Sequence, residues 1–278
     1  MFGAIIGDIA GSRFEGRRRN YKAEDFELFH ERCHPTDDTV MTLAIGLAIM
    51  AAQSYRGQPP IETYYAVLKA QAVRTTRELG RRYIHSGYGR GFKGWLLSDF
   101  PTPYNSYGNG AAMRISPVGF AATTEEEVVA MSRAVTEITH NHEEGLKGAE
   151  SVAMAIFLAR NGATKADIQK RIELNYYPLD FMIDDIRPTY SFDSSCQGSV
   201  PQAIKCFLEA TSFEGAIRKA ISIGGDSDTI GAITGSIAEA FYGVPKDLKE
   251  TAYNRLDDFE RSLYDKWSLF LEGHLEGQ

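Results

Sequence analysis

The run TVMTLAIGLAIMAAQ at residues 39–53 is apolar almost all round, which predicts a helix buried on every side rather than an amphipathic surface helix. Residues 125–131, 151–160, 200–210, 213–223, 229–242 and 248–270 carry helical spacing as well. Strand-type alternation is scarce, and no strand–helix alternation recurs. The pattern therefore predicts an all-α chain, a compact multi-helix bundle, rather than a parallel α/β sheet. Two stretches break the helical pattern. Residues 80–114 are rich in Gly, Tyr and Ser, and residues 175–198 carry Pro178, Asp184, Asp185 and Pro188. Irregular segments set on a rigid scaffold are where binding residues collect. Neither forces a boundary, and no tandem repeat of about 20–50 residues is visible, so one domain over residues 1–278 is expected.

Composition narrows the class. Apolar residues make up 43% and charged residues 24%, ample for a self-sufficient core. A net charge of −7 argues against constitutive binding to nucleic acid or an anionic membrane, both of which need an excess of Lys and Arg. Cys33, Cys196 and Cys206 are odd in number and without CxxC spacing, which disfavours a disulfide framework or a thiolate zinc site and fits a reducing, cytoplasmic home. The opening MFGAIIGDIAGSRFEG has Asp8 and no basic leader, so it does not read as a signal peptide. No segment reaches the roughly 18 uninterrupted apolar residues of a spanning helix.

Two acidic words carry the most chemistry: Thr36-Asp37-Asp38-Thr39, and Gly224-Gly225-Asp226-Ser227-Asp228-Thr229, each directly before a helix of small and apolar residues. Helix N-termini welcome carboxylates, so capping is the plain alternative, but one carboxylate per helix would suffice. Adjacent aspartates beside an apolar helix repel one another at a cost that a cation removes. Magnesium asks for about six oxygen ligands, which Asp carboxylates, Thr hydroxyls and water supply together. No His/Cys cluster points to zinc.

On the substrate side, Gly108-Asn109-Gly110, after Ser106-Tyr107, offers either a backbone N–H cradle for phosphate oxygens or an ordinary tight turn. GYGRG follows no strand and is not a dinucleotide fingerprint. Tyr88, Tyr104 and Tyr107 either stack on a base or cover core. His140 and His142, two positions apart, point in different directions, so at most one touches substrate. Arg17-Arg18-Arg19 reads as a solvated loop or as a guide for an anionic ligand.

Taken in order, GAIIGDIAGSRFE, PTDDT, SYGNGAAMR, THNHEEG and GGDSDT resemble the ADP-ribosylglycohydrolase family over about residues 1–243. The resemblance implies an all-helical fold of that type, two Mg²⁺ ions (Mn²⁺ also fits), and hydrolysis of the glycosidic bond joining ADP-ribose to an acceptor. The substrate would be an ADP-ribose conjugate such as an ADP-ribosylated protein, on arginine, serine or a related group. Carried over residue by residue, it implies Thr36, Asp37, Asp38, Asp226, Asp228 and Thr229 as metal ligands. It implies Ser106, Tyr107, Gly108 and Asn109 as the phosphate-holding loop, and His140 as a substrate contact. Glu15 matches an acidic residue near the metals and the scissile bond. The proton of the attacking water would pass to Glu15 or to a metal-bound aspartate such as Asp38 or Asp228. Asp8 remains a structural candidate. The rival readings are a metal-dependent nucleotide phosphohydrolase and a non-catalytic ADP-ribose-binding protein.

Overall fold

The computed structural model describes residues 1–16 and 20–276, so Arg17, Arg18 and Arg19 lie outside the described residues. Helices follow one another as α1 (Phe2–Ser12), α2 (Asp37–Ala52), α3 (Ile61–Arg82), α4 (Arg90–Leu97), α5 (Gly110–Met113), α6 (Ser116–Ala121), α7 (Glu125–Thr136), α8 (Glu143–Arg160), α9 (Lys165–Asn175), α10 (Ile183–Ile186), α11 (Cys196–Glu209), α12 (Phe213–Ser222), α13 (Ser227–Tyr242), α14 (Lys246–Tyr253) and α15 (Asp258–Glu276). Among the described residues the chain forms no strand, and its one isolated β-bridge joins Gly108 to Ser195. The all-α expectation is borne out.

α1 and α13 form the seam on which the site is built. Gly3, Gly7 and Gly11 recur every fourth residue on α1, and each faces the backbone of α13. A Cβ on Gly3 would overlap the Gly235 carbonyl, one on Gly7 that of Gly231, and one on Gly11 that of Ser227. The register is antiparallel, so the C-terminal end of α1 lies against the N-terminal end of α13, where Asp226 and Asp228 sit. At the other end of the seam, Glu239 of α13 accepts a hydrogen bond from the Gly3 backbone N–H at 2.8 Å, satisfying one of the unpaired donors that open α1.

α2 is buried nearly all round, as its apolar sequence requires. α15 covers it, with Trp267 close enough that a Cβ on Gly46 would stand 3.2 Å from the indole Cε3. One contiguous core runs from Met1 and Phe2 through the α2, α8, α11 and α13 side chains to Trp267. Each fully buried Ile or Leu in it contributes about 1.5–3 kcal/mol.

Several elements depart from the reading of the pattern. α1 and α3 are helices that it did not mark. α4 and α5 lie inside the stretch expected to be irregular, and α9 is a polar surface helix begun by a capping box between Thr164 and Asp167. The single helix expected over residues 248–270 is two. Asp257 and Glu260 exchange hydrogen bonds, each side chain accepting from the other's backbone N–H at 2.8–2.9 Å, and this reciprocal cap starts α15 anew after α14 ends.

Candidate active site

The two acidic words meet. Thr229, in the first turn of α13, donates its hydroxyl to Asp38 Oδ2 in the first turn of α2 at 3.2 Å, across 191 positions of sequence. Gly224 and Gly225 both adopt left-handed backbone (φ +73° and +74°), which turns the chain sharply enough to deliver Asp226 as the N-cap of α13. That turn is pinned from outside. Asn20 Oδ1 accepts from the Gly225 N–H at 3.2 Å, and Lys22 Nζ donates to the Ile223 carbonyl at 2.5 Å and the Tyr190 carbonyl at 2.6 Å.

Asp8 holds the α2 side. Projecting from α1, its carboxylate accepts from the Thr36 N–H at 2.9 Å, the Thr36 hydroxyl at 2.7 Å, the Thr39 N–H at 3.0 Å and the Thr39 hydroxyl. A carboxylate borrowed from another helix thus does most of the capping of α2. Thr36 itself accepts only a long 3.4 Å bond from the Asp38 N–H. Asp37 and Asp38 are thereby released from capping and face the cavity.

Two triads of carboxylates result, each with one oxygen per residue and all three oxygens within 4.8 Å of one another. One is Asp8, Asp38 and Asp228, and the other is Glu15, Asp226 and Asp228. Asp228 belongs to both. Among the described residues none of these five carboxylates, nor Asp37, forms an ion pair with Lys, Arg or His. Burial, compounded by mutual repulsion, pushes Asp37 up to about 8 and Asp226 up to about 6, and drives Asp38 and Asp228 well above the usual carboxylate range. Asp38 Oδ1 is buried with no hydrogen-bond partner. Crowded carboxyl groups that ionise only at a cost, one of them with an unsatisfied oxygen, make an all-oxygen donor set that fits a hard divalent cation.

The carboxylates floor a cavity of about 320 Å³, within the range of small-molecule sites. Its walls include Arg90, Phe92, Tyr104, Ser106, Arg114, His140, Phe192 and Ser194. The Ser106-to-Gly110 loop is stapled to the segment before α11. The Asn109 N–H donates to the Ser194 carbonyl at 2.8 Å, and the Cys196 N–H donates to the Tyr107 carbonyl at 2.9 Å. The Gly108 N–H donates to Ser106 Oγ at 3.2 Å. Two of the N–H groups read from sequence as an open cradle are therefore engaged within the protein. Asn109 has a second task, donating from Nδ2 to Asp226 Oδ2 at 2.7 Å, which ties the loop to the acidic floor.

Most of the residues expected from sequence converge on this cavity. Asp37, Asp38, Asp226, Asp228, Thr229 and Glu15 all line it, as do Ser106, Gly108, Asn109 and His140. Thr36 lies just behind, donating its hydroxyl to Asp8. Tyr107 is about half exposed and packs edge-on against His142, with ring centroids 5.3 Å apart. The two histidines do diverge. His140 is buried in the cavity wall, whereas His142 caps α8 by accepting from the Glu144 N–H at 3.0 Å. Of the tyrosines, Tyr88 is core, packed on Phe92, and Tyr104 reaches the cavity. Asp8, Arg114 and Phe192 join the site without having been singled out for it by sequence reasoning. The spacing of Asp8 after an apolar, Gly-spaced run was the available signal for the first, and the Arg closing SYGNGAAMR for the second.

Known proteins resemble the chain along most of its length. The chain is 28% identical over 280 residues to ADP-ribosyl-[dinitrogen reductase] glycohydrolase of Rhodospirillum rubrum, covering 92% of this chain and 88% of that protein. It is 25% identical to human ADP-ribosylhydrolase ARH3 (95% and 91% covered), and 25% identical to ADP-ribosylarginine hydrolase Tri1 of Pseudomonas putida (96% and 77%). Among solved structures, it shares its fold with a chain of an ADP-ribosylglycohydrolase-related protein complex, at a TM-score of 0.64 and 23% identity, with 94% and 93% covered. The family description "ADP-ribosylglycohydrolase" matches residues 1–269, reaching past the motifs into α15, and the chain belongs to the ADP-ribosylglycohydrolase family.

Proposed function

We propose that this protein hydrolyses the glycosidic bond between ADP-ribose and an acceptor group with the help of two divalent cations, Mg²⁺ or Mn²⁺, which Asp8, Asp38, Asp226, Asp228 and Glu15 would hold. The observation that carries this reading is the pair of carboxylate triads with Asp228 in common. Family membership supplies the ADP-ribose half of the substrate, and the named activities of the relatives support the reaction type. Thr36, Asp37 and Thr229 stand beside the triads and complete the oxygen donor set.

Bound cations would supply positive charge that polarises ligand oxygens and acidifies water. The remaining work falls to the chain. Asp38, Asp226 and Asp228 would hold the distal ribose end of the cavity in one register, because Thr229 ties α13 to α2 through Asp38 and Asn109 ties the 106–110 loop to the start of α13 through Asp226. Of the triad carboxylates Glu15 alone is exposed, the other four being buried, and in this reading it is the base that takes the water's proton. The loop at residues 106–110 and His140 receive the diphosphate. Tyr104 and Phe192, both on the cavity wall, offer apolar faces to the adenosine part.

The test is product analysis on ADP-ribosylated arginine and serine peptides with Mg²⁺, Mn²⁺ or EDTA. Intact ADP-ribose released only with a divalent cation is the expected result. Free phosphate or AMP as the product would overturn the reading in favour of a nucleotide phosphohydrolase. Tight ADP-ribose binding with no turnover on any conjugate would overturn it in favour of a binding protein.

A further inference from the structure

Arg114, Thr139 and His140 form a buried chain beside the cavity. Arg114 Nη2 donates to Thr139 Oγ1 at 2.8 Å, and Thr139 Oγ1 stands 2.7 Å from His140 Nδ1. All three are buried, Thr139 completely. A guanidinium only donates, and a threonine hydroxyl has one proton to give. Among the described residues Oγ1 has these two partners and no other. If Nδ1 carried the imidazole proton, Oγ1 would accept twice and its own proton would be left buried without an acceptor, a cost of the kind folded proteins avoid. The one assignment that satisfies both the Thr139 hydroxyl and His140 Nδ1 runs Arg114 N–H to Thr139 oxygen, then Thr139 O–H to His140 Nδ1.

We propose that Thr139, braced by Arg114, is a positioning residue that fixes the tautomer of His140, so that Nε2 carries the proton and presents it to the cavity. The ring is aimed for this. A Cβ built on Gly110 would lie 3.4 Å from His140 Nε2 and one on Gly108 3.7 Å from it, so the two glycines leave Nε2 open toward the loop at residues 106–110. Burial, with the Arg114 charge adding to it, holds His140 well below its ordinary pKa, which keeps a second proton off Nδ1. The chain of donors thus ends in an N–H offered to an oxygen acceptor, such as a phosphate oxygen of the ligand, and this use of Nε2 rests on the function proposed above.

Thr139→Val keeps the shape and removes the hydroxyl, and Thr139→Ser keeps the hydroxyl. Long-range ¹H–¹⁵N spectra of ¹⁵N-histidine protein at neutral pH, without ligand, read the tautomer, with the His140 signals identified by their absence in His140→Asn. The wild type and Thr139→Ser are expected to show a protonated Nε2 and a bare Nδ1, and Thr139→Val a mixture or the opposite tautomer. ADP-ribose affinity by calorimetry in Mg²⁺ should fall about tenfold in Thr139→Val, of the order of one hydrogen bond, and return in Thr139→Ser. A proton on Nδ1 in the wild type, or a Thr139→Val protein with unchanged tautomer and affinity, would overturn the assignment. Because the spectra need no ligand, a wild type with protonated Nε2 that fails to bind ADP-ribose would overturn the proposed function and leave the Thr139 assignment standing.

Discussion

At the scale of single residues, the proposed function divides the acidic floor into groups that would hold a cation and groups that position them. Asp38 and Asp228 would be of the first kind. Asp38→Ala or Asp228→Ala is expected to abolish cation-dependent release of ADP-ribose while far-ultraviolet circular dichroism stays that of a helical protein. Retained turnover in both would contradict their role as cation ligands. Asp8 belongs to both kinds, since it lies in a triad and also caps α2 through Thr36 and Thr39. Asp8→Asn should therefore weaken cation affinity by about 10–100-fold, as loss of a supporting contact at a metal site does. It should also cost about 1–3 kcal/mol of stability through the disrupted buried hydrogen bonds. Calorimetric titration with Mn²⁺ and urea unfolding measure the two effects separately. The aspartates of the two words were legible because paired charges before an apolar helix are costly without a partner. Asp8 was not, because a lone acid in an apolar run looks the same whether it caps, ligates or simply ends a helix. The commitments of the Gly108 and Asn109 N–H groups were also hidden, since their acceptors, Ser106 Oγ and the Ser194 carbonyl, are set by loop conformation and tertiary placement.

At the scale of elements, the site depends on how closely α1 approaches α13. Glycines at 3, 7 and 11 let the backbones touch, and Gly231 and Gly235 answer from the other side. Gly7→Ala is expected to destabilise the fold by about 1–3 kcal/mol or more, because the added methyl meets backbone that cannot rotate away. Its thermal midpoint with and without Mg²⁺ measures this, and an unchanged midpoint would mean that the two backbones have room to part. The same glycines explain why α1 does not read as a helix in the sequence, as Gly at three of its positions lowers intrinsic propensity. α3 escapes the pattern for a different reason. Its buried stripe of Tyr64, Leu68, Ala72, Thr75 and Leu79 is spread through a polar sequence, and Pro60 before it gives no side-chain cap. α2 and α13 were legible since burial on every side leaves an apolar run with no competing interpretation.

At the scale of the whole molecule, stability should depend on pH in a sense set by the raised acids. Asp37, Glu260 and Asp226 hold their protons in the fold up to about 8, 7 and 6, against ordinary values of 3.8, 4.5 and 3.8. Between the ordinary and the raised values the folded state binds more protons than the unfolded chain, so stability falls as pH rises through that window. In EDTA the thermal midpoint is thus expected to be lower at pH 8 than at pH 5, and saturating Mg²⁺ should shrink or reverse the difference by stabilising the ionised carboxylates. A midpoint in EDTA that rises with pH would contradict the burial of these acids. The all-helical class was legible from the absence of strand patterns, whereas the meeting of residues 38 and 229 follows only from the stacking of α1 on both α2 and α13. The central claim is that this meeting would let two cations bind, with Asp228 common to both carboxylate triads, and anomalous diffraction from crystals soaked in Mn²⁺ tests it most directly. The expected result is two strong peaks flanking the Asp228 carboxylate, one toward Asp38 and one toward Asp226 and Glu15. A single peak, or none among these residues at saturating Mn²⁺, would contradict it.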